Sequence, residues 1–242
     1  MGDQLVPDNI LGTEYIPIHG YLQGGNGDDR IQILATVNNT TVTIDGTEIV
    51  TIDAGEAYQH ILDTPSSFIE TSEPVAVWQS TGFGCELGGA QLPSVKCTGS
   101  TSVTFVRSTD EFIGINLLVP AGGEANFSFN GDNALIDPAL FEAVPGTDGA
   151  WMFAQLDLGV AVPILAPSRI ENTSHVFHLG IIHGGASSGT RSGYFSDYGA
   201  LKYQAVNQTV NVCFGEPLSL EVNPVENGLY QWTGPNAYSG QG

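Results

Sequence analysis

Short runs rich in Val, Ile, Thr and Phe recur along this chain, with polar residues at alternate positions and Gly, Asn, Asp or Pro between runs. Side chains of a strand point alternately to opposite faces, so this period of two predicts β-strands with one face buried. Strands are predicted at 14–18, 31–37, 41–44, 48–52, 75–79, 102–106, 116–119, 125–129, 151–156 and 176–182. Asp45-Gly46 and Asn130-Gly131 are tight-turn signals, because both residues of such a turn adopt positive φ. Helical spacing is confined to Pro138–Val144, too short to stand alone. The chain is expected to be all-β.

The pattern also repeats. IQILATVNNTTVTIDG (Ile31–Gly46) aligns with INLLVPAGGEANFSFNG (Ile115–Gly131) across a one-residue gap. SFIETSEPVAVWQSTG (Ser67–Gly82) matches SRIENTSHVFHLGIIHGG (Ser168–Gly185). This predicts two related β-sandwich-like modules, about 30–82 and 112–185, packed against each other within a domain spanning 11–200. The second carries an insertion around Asp137–Gly149. Residues 1–10 read as an added start or linker. From 206 to 242 a strand with Cys213 precedes Tyr230-Gln231-Trp232, the Cys-to-Trp order that opens an Ig-like sandwich. That segment is expected to be the truncated start of an Ig-like domain, the partner of Cys213 lying further on.

Between the modules lies GFGCELGGAQLPSVKCTGS (Gly82–Ser100), which has neither a strand nor a helix period. Cys85 and Cys97 are expected to staple it by closing a loop of thirteen residues. Such a disulfide would contribute roughly 3 kcal/mol in the chain-entropy account. The alternative is two free, buried cysteines.

Charge narrows the function classes. Twenty-six acidic residues against 6 basic ones give a formal charge of −20. Such a surface repels nucleic-acid backbones and anionic membranes, and both are excluded as partners. No apolar run is long enough to cross a bilayer as a helix, and the first residues lack a basic, then apolar, leader. An acidic coat suits an exported protein that must stay soluble, and it attracts cations.

Four constellations carry candidate chemistry. In GGNGDDR, Asn26, Asp28 and Asp29 offer closely spaced oxygens for calcium, against the plainer reading of an acidic turn. His175 and His178 fall on opposite faces of one strand and cannot share an ion with His183. Gly185-Ala186-Ser187-Ser188-Gly189 matches GxSxG, but no helix-forming segment follows and no histidine comes after His183, so a nucleophile elbow is not expected. Tyr194, Phe195, Asp197 and Tyr198 form an aromatic cluster suited to contacting a ligand. Glu70 and Glu171 occupy matching positions in the two modules.

GFGCELGGAQLPSVKCTGS, GINLLVP (Gly114–Pro120) and LGIIHGGASSGTRSGYFSDYG (Leu179–Gly199) together resemble the IgGFc-binding protein N-terminal domain family, over roughly 11–200. The resemblance implies an exported, non-enzymatic, adhesin-type module of the family's bacterial surface-protein branch. It also implies secretion to the cell surface, further Ig-like and anchoring domains in the parent chain, and an extracellular protein or glycan as ligand. No Fc-contacting residue carries over to a position of this chain, so Fc binding is not implied. No cofactor is expected to be required, with calcium the one candidate ion. The runner-up is a passive stalk segment, and a glycan hydrolase using two carboxylates comes third.

Overall fold

The computed structural model describes residues 6–20, 29–96, 98–196, 231–234 and 238–241. The first half supplies seven strands: β1 (Gly12–Tyr15), β2 (Asp29–Ala35), β3 (Thr40–Ile44), β4 (Thr47–Ile52), β5 (Ala57–Leu62), β6 (Ile69–Phe83) and β7 (Glu86–Gln91). They form one antiparallel sheet in the order β4-β3-β6-β2-β5, with β1 and β7 also pairing with β6. Strand β6, fifteen residues long, belongs to both ends of the sheet. Its first part lies between β1 and β3, and its last part between β2 and β7. The sheet thereby wraps around a core that includes Tyr15, Ile31, Ile33, Val42, Ile69, Val77 and Leu92. Burial alternates along β2 and β3 as the period of two requires.

The second half supplies β8 (Ser102–Val106), β9 (Phe112–Pro120), β10 (Phe127–Phe129), β11 (Glu142–Ala143), β12 (Trp151–Asp157), β13 (Pro167–Asn172), β14 (His178–Gly185) and β15 (Gly189–Phe195). Two antiparallel sheets, β10-β13-β8 and β11-β12-β9-β14-β15, enclose a core built on Phe127, Phe129, Ile115, Leu117, Ile170 and Phe177. The insertion after β10 holds one short 3-10 turn, Pro138–Leu140, followed by β11. It delivers Phe141 onto Phe127 as a stacked pair with centroids 5.5 Å apart. The insertion therefore helps close the core of the second half.

The two halves correspond in every strand except β4 and β11. β1, β2, β3, β5 and β7 match β8, β9, β10, β12 and β15, while β6 matches β13 and β14 together. Ile44 faces Ile69 as Phe129 faces Ile170. Ile31 faces Gln79 as Ile115 faces Ile181. Both turn signals hold, with φ of 48° and 78° at Asp45 and Gly46, and 51° and 82° at Asn130 and Gly131. The all-β class and the paired, related halves are thus features of the structure.

Along the seam, β7 lies beside β15, where Thr190 Oγ1 donates to the Glu86 carbonyl at 2.5 Å. The backbones come close: a Cβ on Gly88 would sit 2.9 Å from Ser192 Oγ and Thr190 Cγ2. By strand register the counterpart of Gly88 is Arg191, so this position meets the neighbours of its own counterpart. A two-fold relation between the halves has this signature. A second apolar patch crosses between them, joining Ile16, Ile18, Phe68 and Val95 to Leu118, Val144 and Phe153.

The stretch expected to be an irregular, stapled loop is instead half strand. Phe83 pairs with Glu86 across the two-residue turn Gly84-Cys85, and β7 follows. Beyond it, Leu92, Ser94, Val95 and Thr98 are buried, with Leu92 N bonded to Val77 O and Val95 N to Glu14 O. Strand pairing and burial order this stretch. Cys85 sits at the exposed turn as a free thiol, and Cys97, its expected partner, lies outside the described residues.

The chain divides into two compact units, 1–202 and 203–242. In the latter, β16 (Gln231–Gly234) and β17 (Tyr238–Gln241) pair antiparallel, and the strand expected around Cys213 lies outside the described residues.

Two measurements follow from this architecture. Gly46→Ala and Gly131→Ala each place a Cβ at positive φ in open space, and each is expected to cost about 1 kcal/mol in urea denaturation without splitting the transition. In native, unreduced protein N-ethylmaleimide is expected to modify Cys85; recovery of a 85–97 disulfide-linked peptide would overturn the thiol assignment.

Candidate functional site

Asp29, expected in an acidic loop, begins β2 and is fully buried. Its Oδ2 accepts from Gly20 N and Gln79 Nε2, both at 2.6 Å. Gln79 Nε2 also donates to Ile18 O at 2.8 Å, and Gln79 Oε1 accepts the Tyr194 hydroxyl at 2.8 Å. Tyr194 comes from β15 in the other half, so this chain of hydrogen bonds crosses the seam. Burial, then the Asp29 charge, pushes the Tyr194 phenol well above its ordinary pKa. A cavity of about 20 Å³ remains beside Gly20, Gln79, Thr81 and Tyr194, and the Asp29 Oδ1 and Thr81 Oγ1 atoms have no hydrogen-bond partner among the described residues. Asp29, one of the three residues expected to hold calcium, thus points inward to the seam. Asn26 and Asp28 lie outside the described residues. Among the described residues no group of three or more His, Cys, Asp and Glu is placed to hold a metal.

The second half has a larger opening of about 300 Å³, lined by Phe105, Ile113, Ile181, His183, Arg191 and Phe195 among others. His183 is buried in its wall. Its Nδ1 lies 2.8 Å from the Phe112 carbonyl, which assigns the proton to Nδ1 and leaves Nε2 as acceptor. Thr109 Oγ1 gives its single proton to Glu111 Oε2 at 2.8 Å. Ser108 Oγ, 3.3 Å from Nε2, is then the hydroxyl that donates to the histidine. Thr109 Oγ1 also lies 3.1 Å from Nε2, so His183 and the two hydroxyls form one compact polar group beside the opening.

Arg107 braces this corner from behind. Its guanidinium donates to the carbonyls of Gly159, Val162, Asp110 and Glu111, tying the approach to β9 to the loop after β12. Glu111 and Arg191 form an ion pair at 3.4 Å at the mouth. Hydrogen bonds from Ser188 and Thr109, then Arg191 with its charge, hold the Glu111 carboxyl below the usual range.

Of the predicted ligand-contact residues, the structure separates Tyr194 from Phe195. Tyr194 is spent in the seam, whereas Phe195 is 40% exposed and lines the opening; Asp197 and Tyr198 lie outside the described residues. The GxSxG segment is the turn of the β14–β15 hairpin, as its glycines and serines suggested. Glu70 and Glu171 do match: Glu70 faces Thr43 and Glu14, and Glu171 faces Ser128 and Ser102 and ion-pairs with Arg169 at 2.8 Å. Arg107, Ser108, Glu111 and Arg191 were not singled out from the sequence. The available signal was that Arg107 and Arg191 are two of only 6 basic residues.

The fold is thus an all-β pair of related halves with one open pocket of mixed apolar and polar lining. The family model for IgGFc binding protein matches residues 1–178, which is most of the chain. The chain belongs to the IgGFc binding protein family. Comparison with curated proteins and with solved structures gives no match.

One buried group offers a pH test of the fold around this site. His178 has both ring nitrogens without partners and its ring 6.0 Å from that of Trp151. Burial lowers its pKa from 6.5 to about 4. The folded state keeps the ring neutral, so its contribution is complete above pH 6.5 and is lost as pH falls toward 4, when only the unfolded chain takes up the proton. Between pH 7 and 4.5, His178→Phe is expected to lose about 2 kcal/mol less stability than the parent in urea titrations. Equal losses would show that the histidine is not held neutral.

Proposed function

We propose that this chain is a non-enzymatic binding module of an exported, surface-displayed protein, and that it takes an extracellular protein or glycan ligand at the open cavity of its second half. The observation that carries this reading is the cavity itself, about 300 Å³ with apolar walls and convergent polar groups at His183, Ser108 and Arg191. Ligand pockets have this composition. Exposed apolar side chains continue around it, with Val106 57% exposed. The acidic coat would keep such a display module soluble and discourage nonspecific contact with anionic surfaces. No cofactor takes part in this reading, and the family's description makes the Fc part of immunoglobulin G one ligand to be tried first.

The test is a binding array of glycans, extracellular proteins and immunoglobulin Fc, run with the parent chain and with Arg191→Gln. A selective hit weakened about tenfold by the variant, at unchanged melting temperature, is the expected outcome. A folded protein with no hit anywhere would transfer the assignment to a stalk segment. Turnover of a glycan on the array would transfer it to a hydrolase.

A further inference from the structure

The cavity has a counterpart in the first half, and that counterpart is occupied. Strand register pairs Ile31 with Gln79 and Ile115 with Ile181, which makes Asp29, Gln79 and Thr81 the counterparts of Ile113, Ile181 and His183. Gln79 and Thr81 line the small cavity at the seam beside Tyr194, whose far wall includes Ile181, while Ile113, Ile181 and His183 all line the open one. Tyr194 faces Gly180 across the β14–β15 pair as Gln91 faces Trp78 across the β6–β7 pair, so the counterpart of Tyr194 is Gln91. Gln91 does not reach over in return. Its Oε1 accepts Val6 N at 2.9 Å. Strand β15 also lies against β6, whereas the reciprocal approach of β7 to β14 is much weaker. One site is capped by an aromatic side chain from the neighbouring half, and among the described residues its twin has no such cap.

We infer that the open site receives an aromatic side chain from a loop of a protein partner, in the place that Tyr194 takes in the first half. This deepens the reading of the cavity as the binding site and rests on it. The polar floor that satisfies a tyrosine hydroxyl in the first half, Asp29 with Gln79, is replaced by Ile113 with Ile181. A buried hydroxyl would find no acceptor from that pair, and the neighbouring His183 Nε2 is already taken by Ser108, which favours an unsubstituted, phenylalanine-type ring. The volume of about 300 Å³ stands at the small end of ligand pockets, suited to one side chain more than to an oligosaccharide. A single buried aromatic anchor is also how protein interfaces concentrate their binding energy.

The experiment is an NMR titration of the whole chain, following backbone amides, with N-acetyl-phenylalaninamide as probe. N-acetyl-tyrosinamide, N-acetyl-alaninamide and methyl glucoside run beside it. Saturable shifts at residues 191–195 with the phenylalanine probe are expected, several-fold weaker with the tyrosine probe and absent with alanine. Gly193→Phe should abolish them by filling the cavity, since a Cβ at Gly193 meets nothing within 4 Å. Phe195→Ala, at the exposed rim, should weaken them several-fold and serves if the first variant does not fold. No shift in folded protein, or shifts that survive both variants, would overturn the inference. Shifts at 191–195 with methyl glucoside alone would overturn the aromatic occupant while leaving the cavity as the binding site.

Discussion

The carboxylate of Asp29 is wholly buried with no cationic side chain bonded to it among the described residues, and the arrangement of the two halves depends on how it is held. A buried charged or polar group is tolerated only when it is well hydrogen-bonded. Gly20 N supplies one bond and Gln79 the other, and Gln79 in turn holds the Tyr194 hydroxyl. Two related β-structures could pack at many angles on apolar surface alone, because hydrophobic attraction is not directional. A hydroxyl from β15 that must meet one amide oxygen on β6 removes that freedom. The same contact places β15 over the first half and leaves its own half less covered.

Electrostatics shapes the two sites differently. Across most of the surface the acidic residues outnumber basic ones, and the far field repels anions. At the cavity mouth Arg191 sits against Glu111, so the local field is close to balanced and an apolar or mildly acidic group can approach. Arg107 contributes little to that balance as a ligand-facing charge, since its guanidinium is engaged with four backbone carbonyls. Its role is mechanical: it holds the wall that carries Ser108 and the loop carrying Val162.

Local chemistry was the readable part of this chain. Asp45-Gly46 and Asn130-Gly131 turn where they were expected to, because positive φ at consecutive positions is demanded by the hairpin itself. The aligned pair Ile31 and Ile115 occupies equivalent register, since a buried face admits no one-residue slip. Glycines and two cysteines disguised the Gly82–Ser100 stretch. Gly84 does mark a turn, but Gly88 and Gly82 are close-approach positions within strands, a Cβ at Gly82 meeting Glu86 O at 2.1 Å. Asp29 looked like a surface ligand because nothing local reveals that Gln79, fifty residues away, will bond it. Ser108 and His183 are 75 positions apart, and only the sheet brings them together.

Divergence between two related halves would account for how the proposed binding site arises without a dedicated loop. A two-fold pair of identical halves would cap both sites or neither, because each interaction would occur twice. Replacing one half's Tyr194 position with Gln91 and the other half's Asp29 and Gln79 positions with Ile113 and Ile181 changes both sites at once. The first becomes a polar joint that holds the molecule together. The second keeps the same strand scaffold and has no such lid among the described residues, which leaves an apolar recess backed by a packed core. Preformed recesses lose little entropy on binding, so a small number of contacts there is worth more than the same contacts on a flexible loop. The seam and the recess are therefore one structural solution used twice, once inward and once toward solvent.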